Sequence, residues 1–285
     1  MMKFANYFLR FQNSYYGNIR SANSSCPTTD VKWCIDGFDG YKLCIENPSI
    51  LPTCILALMI GLFCSKRISQ LPGEFPSRWY YHLTFFLYGI MMSSAGILHC
   101  FLNDDTKSFT SLAVAIIDVG LTSNIAVSFL FCGLCDIQFL NPKSATTRWL
   151  LFTTYSIIFI LWTFGLTKQW SWAFNVLYTG VVSVCCFIYL ITQLSIKSKH
   201  HALPALFVGG LYGAIGLLAG SFGADAVCKS EGPFWSQYFG PEFIWFLFSD
   251  ISVAFMFLYV IRANREQRIL VKTYPIDFEK YPGKL

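Results

Sequence analysis

Charge is what this chain has least of: 13% of its 285 residues are Asp, Glu, Lys or Arg, too few to clothe a water-soluble domain of that size. Histidine is scarce too, four in all, so any imidazole at membrane depth is conspicuous. The chain has no Gly-rich phosphate loop, no zinc-finger spacing and no interleaving of basic with aromatic residues, so nothing points to nucleic acid as a partner. It also lacks the internal repeat that marks many transporters. Because no long apolar core follows a basic start, no cleaved signal peptide is expected.

What replaces charge is apolar surface. Hydrophobic residues reach 54% and aromatics 18%, and the mean hydropathy is +0.48, values that belong to a membrane protein. Seven apolar segments are expected as helices, at about 50–64, 79–101, 109–132, 149–167, 170–193, 203–224 and 241–261. Each is close to the ~20 residues that cross ~30 Å of hydrocarbon. Thr167, Lys168 and Gln169 alone separate the fourth from the fifth, but together the two are about twice one crossing. The expectation is an all-α, polytopic bundle of seven transmembrane helices. Before it lies a cysteine-bearing cap over residues 1–49, and after it a charged tail from 262 to 285. Phe4, Phe8, Phe11 and Tyr15 permit either a short interfacial helix or a loose tail in the first segment.

Orientation follows from the basic residues near the helix ends. Lys66, Arg67, Arg78, Lys143, Arg148, Lys197, Lys199, Arg262, Arg265, Arg268 and Lys272 fall on one side, against Lys32, Lys42, Lys107, Lys168 and Lys229 on the other. The richer side is cytoplasmic, which puts the amino terminus outside or in a lumen. On that outer side Asn23-Ser24-Ser25 is an N-glycosylation triplet. Cys26, Cys34, Cys44 and Cys228 also fall there and are disulfide candidates with three pairings open, Cys228 being expected to tie its loop to the cap. Cys64, Cys132 and Cys135 lie toward the cytosol and are expected to be thiols. The membrane is either plasma or endomembrane.

Ionisable groups inside hydrocarbon-length segments are costly, so they mark candidate function. His99 lies within a turn of the outer end of the second segment. Asp118 lies nine residues into the third, or ~14 Å at 1.5 Å per residue. Ser249 and Asp250 stand at similar depth in the seventh, with Glu242 at its mouth. Asn124 is deeper, beside Thr122 and Ser123, and Asn175 lies in the outer half of the fifth. These side chains are expected to face one outward-opening polar cavity that takes a membrane lipid or another partner. His82 and the His200-His201 pair are expected at the cytosolic interface in contact with solvent or headgroups. Gly209, Gly213, Gly216 and Gly220 allow close helix approach, within the bundle or between two copies of the chain.

This layout resembles a superfamily that joins alkaline ceramidases, progestin and adiponectin receptors and GPI-lipid remodelling proteins. The points of similarity are Trp33-Cys34, a small residue four before His99, Asp118 in the third segment, and Trp245 within Glu242-Phe243-Ile244-Trp245-Phe246. In that superfamily a Ser and a His of the second helix, an Asp of the third and two His of the seventh build a zinc amidase site. Here Ala95 stands where the Ser would be, with Ser94 beside it, and both histidines of the seventh helix are missing. Zinc hydrolysis needs three protein ligands and an open position. The resemblance therefore implies a member that keeps the fold and has lost the metal, with no cofactor and no catalytic residue assigned. Two other classes remain: a transporter or proton-coupled channel working through Asp118 and Asp250, and a seven-helix receptor. Cys135-Asp136-Ile137 stands where a G-protein-coupled receptor would carry Asp-Arg-Tyr, and no lysine lies within the seventh segment to form a retinal Schiff base.

Overall fold

Backbone amides and carbonyls inside hydrocarbon have no water to bond, so each long apolar run must satisfy them internally, as a helix does. The computed structural model describes residues 32–36, 42–71, 77–102, 108–168, 170, 172–196, 201–222 and 239–273. Among these described residues seven α-helices follow in chain order: α1 (Ile50–Ser69), α2 (Arg78–Phe101), α3 (Phe109–Asp136), α4 (Ala145–Lys168), α5 (Val181–Ser195), α6 (Leu203–Phe222) and α7 (Pro241–Thr273). Six stretches, on every helix but α6, are long and apolar enough to cross a membrane, and α6 carries a shorter apolar stretch, Leu203–Leu218. This is the build of an integral, multi-pass membrane protein.

Local signals explain the helix starts. Pro52 falls in the first turn of α1, where a missing N–H removes no helical bond. Ser108 accepts from the Ser111 amide at 3.0 Å and caps α3. The fourth and fifth segments are separate helices. A π-helical stretch, Phe174–Gly180, leads directly into α5, and Trp170 stacks on Trp172 at 5.0 Å in the connection. At the other end, α7 runs on through Thr273, about three turns beyond the apolar limit at residue 261, because Arg262 to Thr273 contains no Gly or Pro.

The chain is not purely helical. Strands β1 (Lys32–Asp36) and β2 (Lys42–Glu46) pair antiparallel with Cys34 opposite Cys44, and those two cysteines form a disulfide. Strands of five residues carry too weak a pattern to be read reliably from sequence, and the cross-link stabilises what so small a hairpin cannot. Cys26, Cys228 and Asn23 lie outside the described residues. Cys64, Cys132 and Cys135 are free thiols.

Tight seams join consecutive helices. Gly61 of α1 and Gly89 of α2 meet so closely that a Cβ on Gly61 would lie 2.7 Å from the Gly89 backbone. On α6, Gly209, Gly213 and Gly216 receive α7, chiefly Ser252, Met256 and Phe248, and the Ser252 hydroxyl donates to the Gly209 carbonyl at 2.7 Å. These three glycines therefore serve packing within the chain. Trp162, Tyr80, Tyr81, Phe85 and Tyr259 are fully buried among the helices, whereas Met59, Phe63, Trp149, Phe187 and Leu211 are turned outward, a surface suited to lipid.

Candidate functional site

The helices do not pack equally on all sides. α7 lies closely along α6 and α1, but reaches across to the others through long side chains. Tyr88 of α2 donates to Asp250 at 2.5 Å, Tyr259 donates to Gln193 of α5 at 2.5 Å, and Trp245 meets Tyr178 at 5.5 Å. Asp118, Thr122, Trp245 and Ser249 all keep partial accessibility within this part of the bundle.

Glu242, Phe246 and Asp250 recur every four residues and so form one stripe on α7, about 12 Å long at 1.5 Å per residue. At its N-terminal end the His99 Nδ1 stands 3.6 Å from Glu242 Oε2. One turn deeper, the His99 ring packs edge-on against Phe246 with centroids 5.6 Å apart. Another turn in, Asp250 is 2% exposed. Its Oδ1 accepts from Tyr88, while Oδ2 has no hydrogen-bond partner among the described residues. Such a bare polar atom away from water is expensive.

Other elements close around this stripe. Asp118 lies within electrostatic reach of His99, and Cys54 of α1 lies within reach of both Asp118 and Asp250. Asn47 takes the left-handed conformation (φ 48°) between β2 and α1, a geometry asparagine tolerates. Its Nδ2 donates to the His99 carbonyl at 3.1 Å, and its own carbonyl accepts from the Ile50 amide at 3.0 Å and from the Cys100 thiol at 3.8 Å. The disulfide-linked hairpin is thus latched onto the end of α2 that carries the imidazole. Glu46, opposite Lys32 in the strand register, is buried at this rim within reach of Cys100.

His99, Asp118, Glu242 and Asp250 are thereby gathered in one half of the bundle, with Ser249 beside Asp250. Two further residues singled out from sequence have different surroundings. Ser94 donates to the Met91 carbonyl of its own helix at 2.6 Å. Asn124 is fully buried with neither amide atom partnered. His82 bonds rather than facing solvent freely: its Nδ1 lies 2.7 Å from the Ser65 hydroxyl. Asn175 belongs to the π-helical stretch, and His200 lies outside the described residues. Tyr88 and Asn47 escaped the sequence reading, and Cys54, which by sequence is grouped only with the cysteines of the cross-linked cap, is instead a free thiol within α1. Tyr88 was findable, since Tyr81, Tyr88 and His99 fall on one face of an α-helix by spacing alone. Asn47 and Cys54 carry no such signal, because their roles depend on how the hairpin and α1 meet α2.

The donor set does not fit a zinc amidase. It offers one imidazole, with Glu242 and Phe246 standing on α7 where that chemistry wants histidines. Among the described residues no group of three or more His, Cys, Asp or Glu is arranged to hold a metal ion. No family model matches the chain, and no curated protein or solved structure is significantly similar to it.

Proposed function

We propose that this chain is a seven-span membrane protein with its hairpin outside and its basic loop ends in the cytosol, and that its outer half is a binding chamber for a lipid headgroup or small polar partner. In this reading it keeps the seven-helix plan of the ceramidase and adiponectin-receptor superfamily, and the position of the zinc site has become a place for binding. The observation that carries it is the Asp250 carboxyl, almost wholly buried, held by Tyr88 at one oxygen and bare at the other. An unpaired buried polar atom is costly and calls for an explanation, and beside His99, Glu242 and Asp118 an occupant that donates to it supplies one. His99 and Glu242, 12% and 36% exposed, form the mouth.

The test is native mass spectrometry of the protein extracted from its membrane. Wild type is expected to retain a bound lipid or small molecule that Asp250→Asn loses; equal retention would remove the chamber. The orientation has its own check. Asn23→Gln is expected to abolish a glycan-dependent shift in gel mobility, and a wild-type protein made in a glycosylating cell without that glycan would count against the outer placement. The bare carboxyl also favours, as a second reading, proton-coupled transport through Asp118 and Asp250. Liposome flux that disappears in Asp118→Asn and Asp250→Asn would support it.

A further inference from the structure

Resting on the reading of the outer cluster as a ligand chamber, we propose that its ligand is a protonated primary amine, anchored on Asp250. Three observations converge on that chemistry. First, the chamber is rich in carboxylates: His99 stands 3.6 Å from Glu242 and within reach of Asp118, Cys54 lies within reach of both Asp118 and Asp250, and among the described residues no lysine or arginine pairs with any of the three acids. A cation relieves that imbalance, whereas an anion worsens it.

Second, the group left bare is an acceptor. Asp250 Oδ2 has no donor, and its sister oxygen is already held by Tyr88 at 2.5 Å. An ammonium with N–H bonds supplies the missing donor in a charge-assisted bond. A quaternary ammonium has none to give, and among the described residues no three-ligand cluster is arranged for a metal ion. Third, the wall above the carboxyl is aromatic. Phe246, whose ring packs against His99 with centroids 5.6 Å apart, lies one turn outward on the same stripe. Ring faces attract a desolvated cation and reject a carboxylate. Tyr88 acts as a positioning residue, fixing the carboxyl so that Oδ2 is the oxygen left open.

The amine has two sources, a soluble molecule or an ethanolamine-type lipid headgroup, and one experiment separates them. The full-length protein in phosphatidylcholine nanodiscs is titrated calorimetrically with butylamine, butanol and butyrate. In parallel, native mass spectrometry scores retention of phosphatidylethanolamine against phosphatidylcholine and phosphatidylglycerol. Saturable butylamine binding identifies a soluble amine, and selective retention of phosphatidylethanolamine without it identifies the headgroup. In either case Asp250→Asn is expected to weaken binding about tenfold or more. The butylamine, butanol and butyrate series on wild type needs no variant to fold. Butyrate or phosphatidylglycerol bound as well as the amines, yet lost in Asp250→Asn, would overturn the amine and leave the chamber standing. Binding indifferent to Asp250→Asn, or no probe bound by wild type, would overturn both.

Discussion

Asp136 and Asp250 are two aspartates on transmembrane helices of one bundle, and they are treated in opposite ways. At the C-terminal end of α3, both oxygens of Asp136 are occupied, Oδ1 by the Ser77 hydroxyl and Oδ2 by Tyr81 at 3.1 Å. Tyr81 passes the network on to Tyr189 at 2.9 Å, so three helices and the turn before α2 are tied at one point. On α7, Asp250 has only Tyr88 as a hydrogen-bond partner among the described residues. A completed network rigidifies a core, and a half-completed one is a liability unless something else finishes it. Asp136 is therefore a fastening, and Asp250, on the function proposed above, a socket.

That contrast can be broken by substitution. The largest expected effect is at the fastening: Asp136→Ala strips the buried Ser77 hydroxyl and Tyr81 of their acceptor and should cost roughly 3 kcal/mol, read as a lowered unfolding temperature in detergent micelles. A smaller loss is expected from Tyr88→Phe, about 1–2 kcal/mol for leaving the carboxyl wholly unpaired. Adding Asp250→Leu should recover most of it, and the double-mutant cycle should show coupling between the two sites. If the losses simply add, Tyr88 does not act through Asp250.

Smaller again is Asp250→Asn alone, which keeps an acceptor for Tyr88 and should shift stability by less than about 1 kcal/mol while abolishing ligand retention. Stability and binding moving together there would make Asp250 a second fastening. Smallest of all is the paired change Cys34→Ser with Cys44→Ser. Their disulfide closes a short loop within the hairpin, so the bundle's unfolding temperature should hardly move, though the latch of Asn47 on His99 should loosen. With Cys34 joined to Cys44, only Cys26 and Cys228 remain of the outer four. Mass mapping of the unreduced protein is expected to find that pair bridged, and finding either as a free thiol would refute it.

Much of the scaffold was legible beforehand because hydrocarbon imposes one rule on every residue in a span. The starts at Phe109, Leu203 and Pro241 coincide with the first residues of apolar runs, and the break between α4 and α5 follows from length. The hairpin was hidden because its strands are short and a cross-link, rather than periodicity, sustains them. The extension of α7 was hidden because helix propensity continues after hydropathy stops. At the site, His99, Asp118, Glu242 and Asp250 stood out as polar exceptions in oil. Tyr88, Asn47 and Cys54 did not, since tyrosine, asparagine at a helix start and a lone cysteine are unremarkable in any membrane sequence.

Composition and the spacing of apolar runs determined that this chain would form membrane-length helices, because the cost of an unbonded backbone in hydrocarbon is the same wherever it occurs. Which polar side chains meet, and which oxygen is left bare, depended on contacts between residues as distant in the chain as Tyr88 and Asp250. Hydrogen bonds act over a few ångströms in space and are blind to separation along the sequence, so only the packed tertiary structure could decide that Asp136 is closed and Asp250 open.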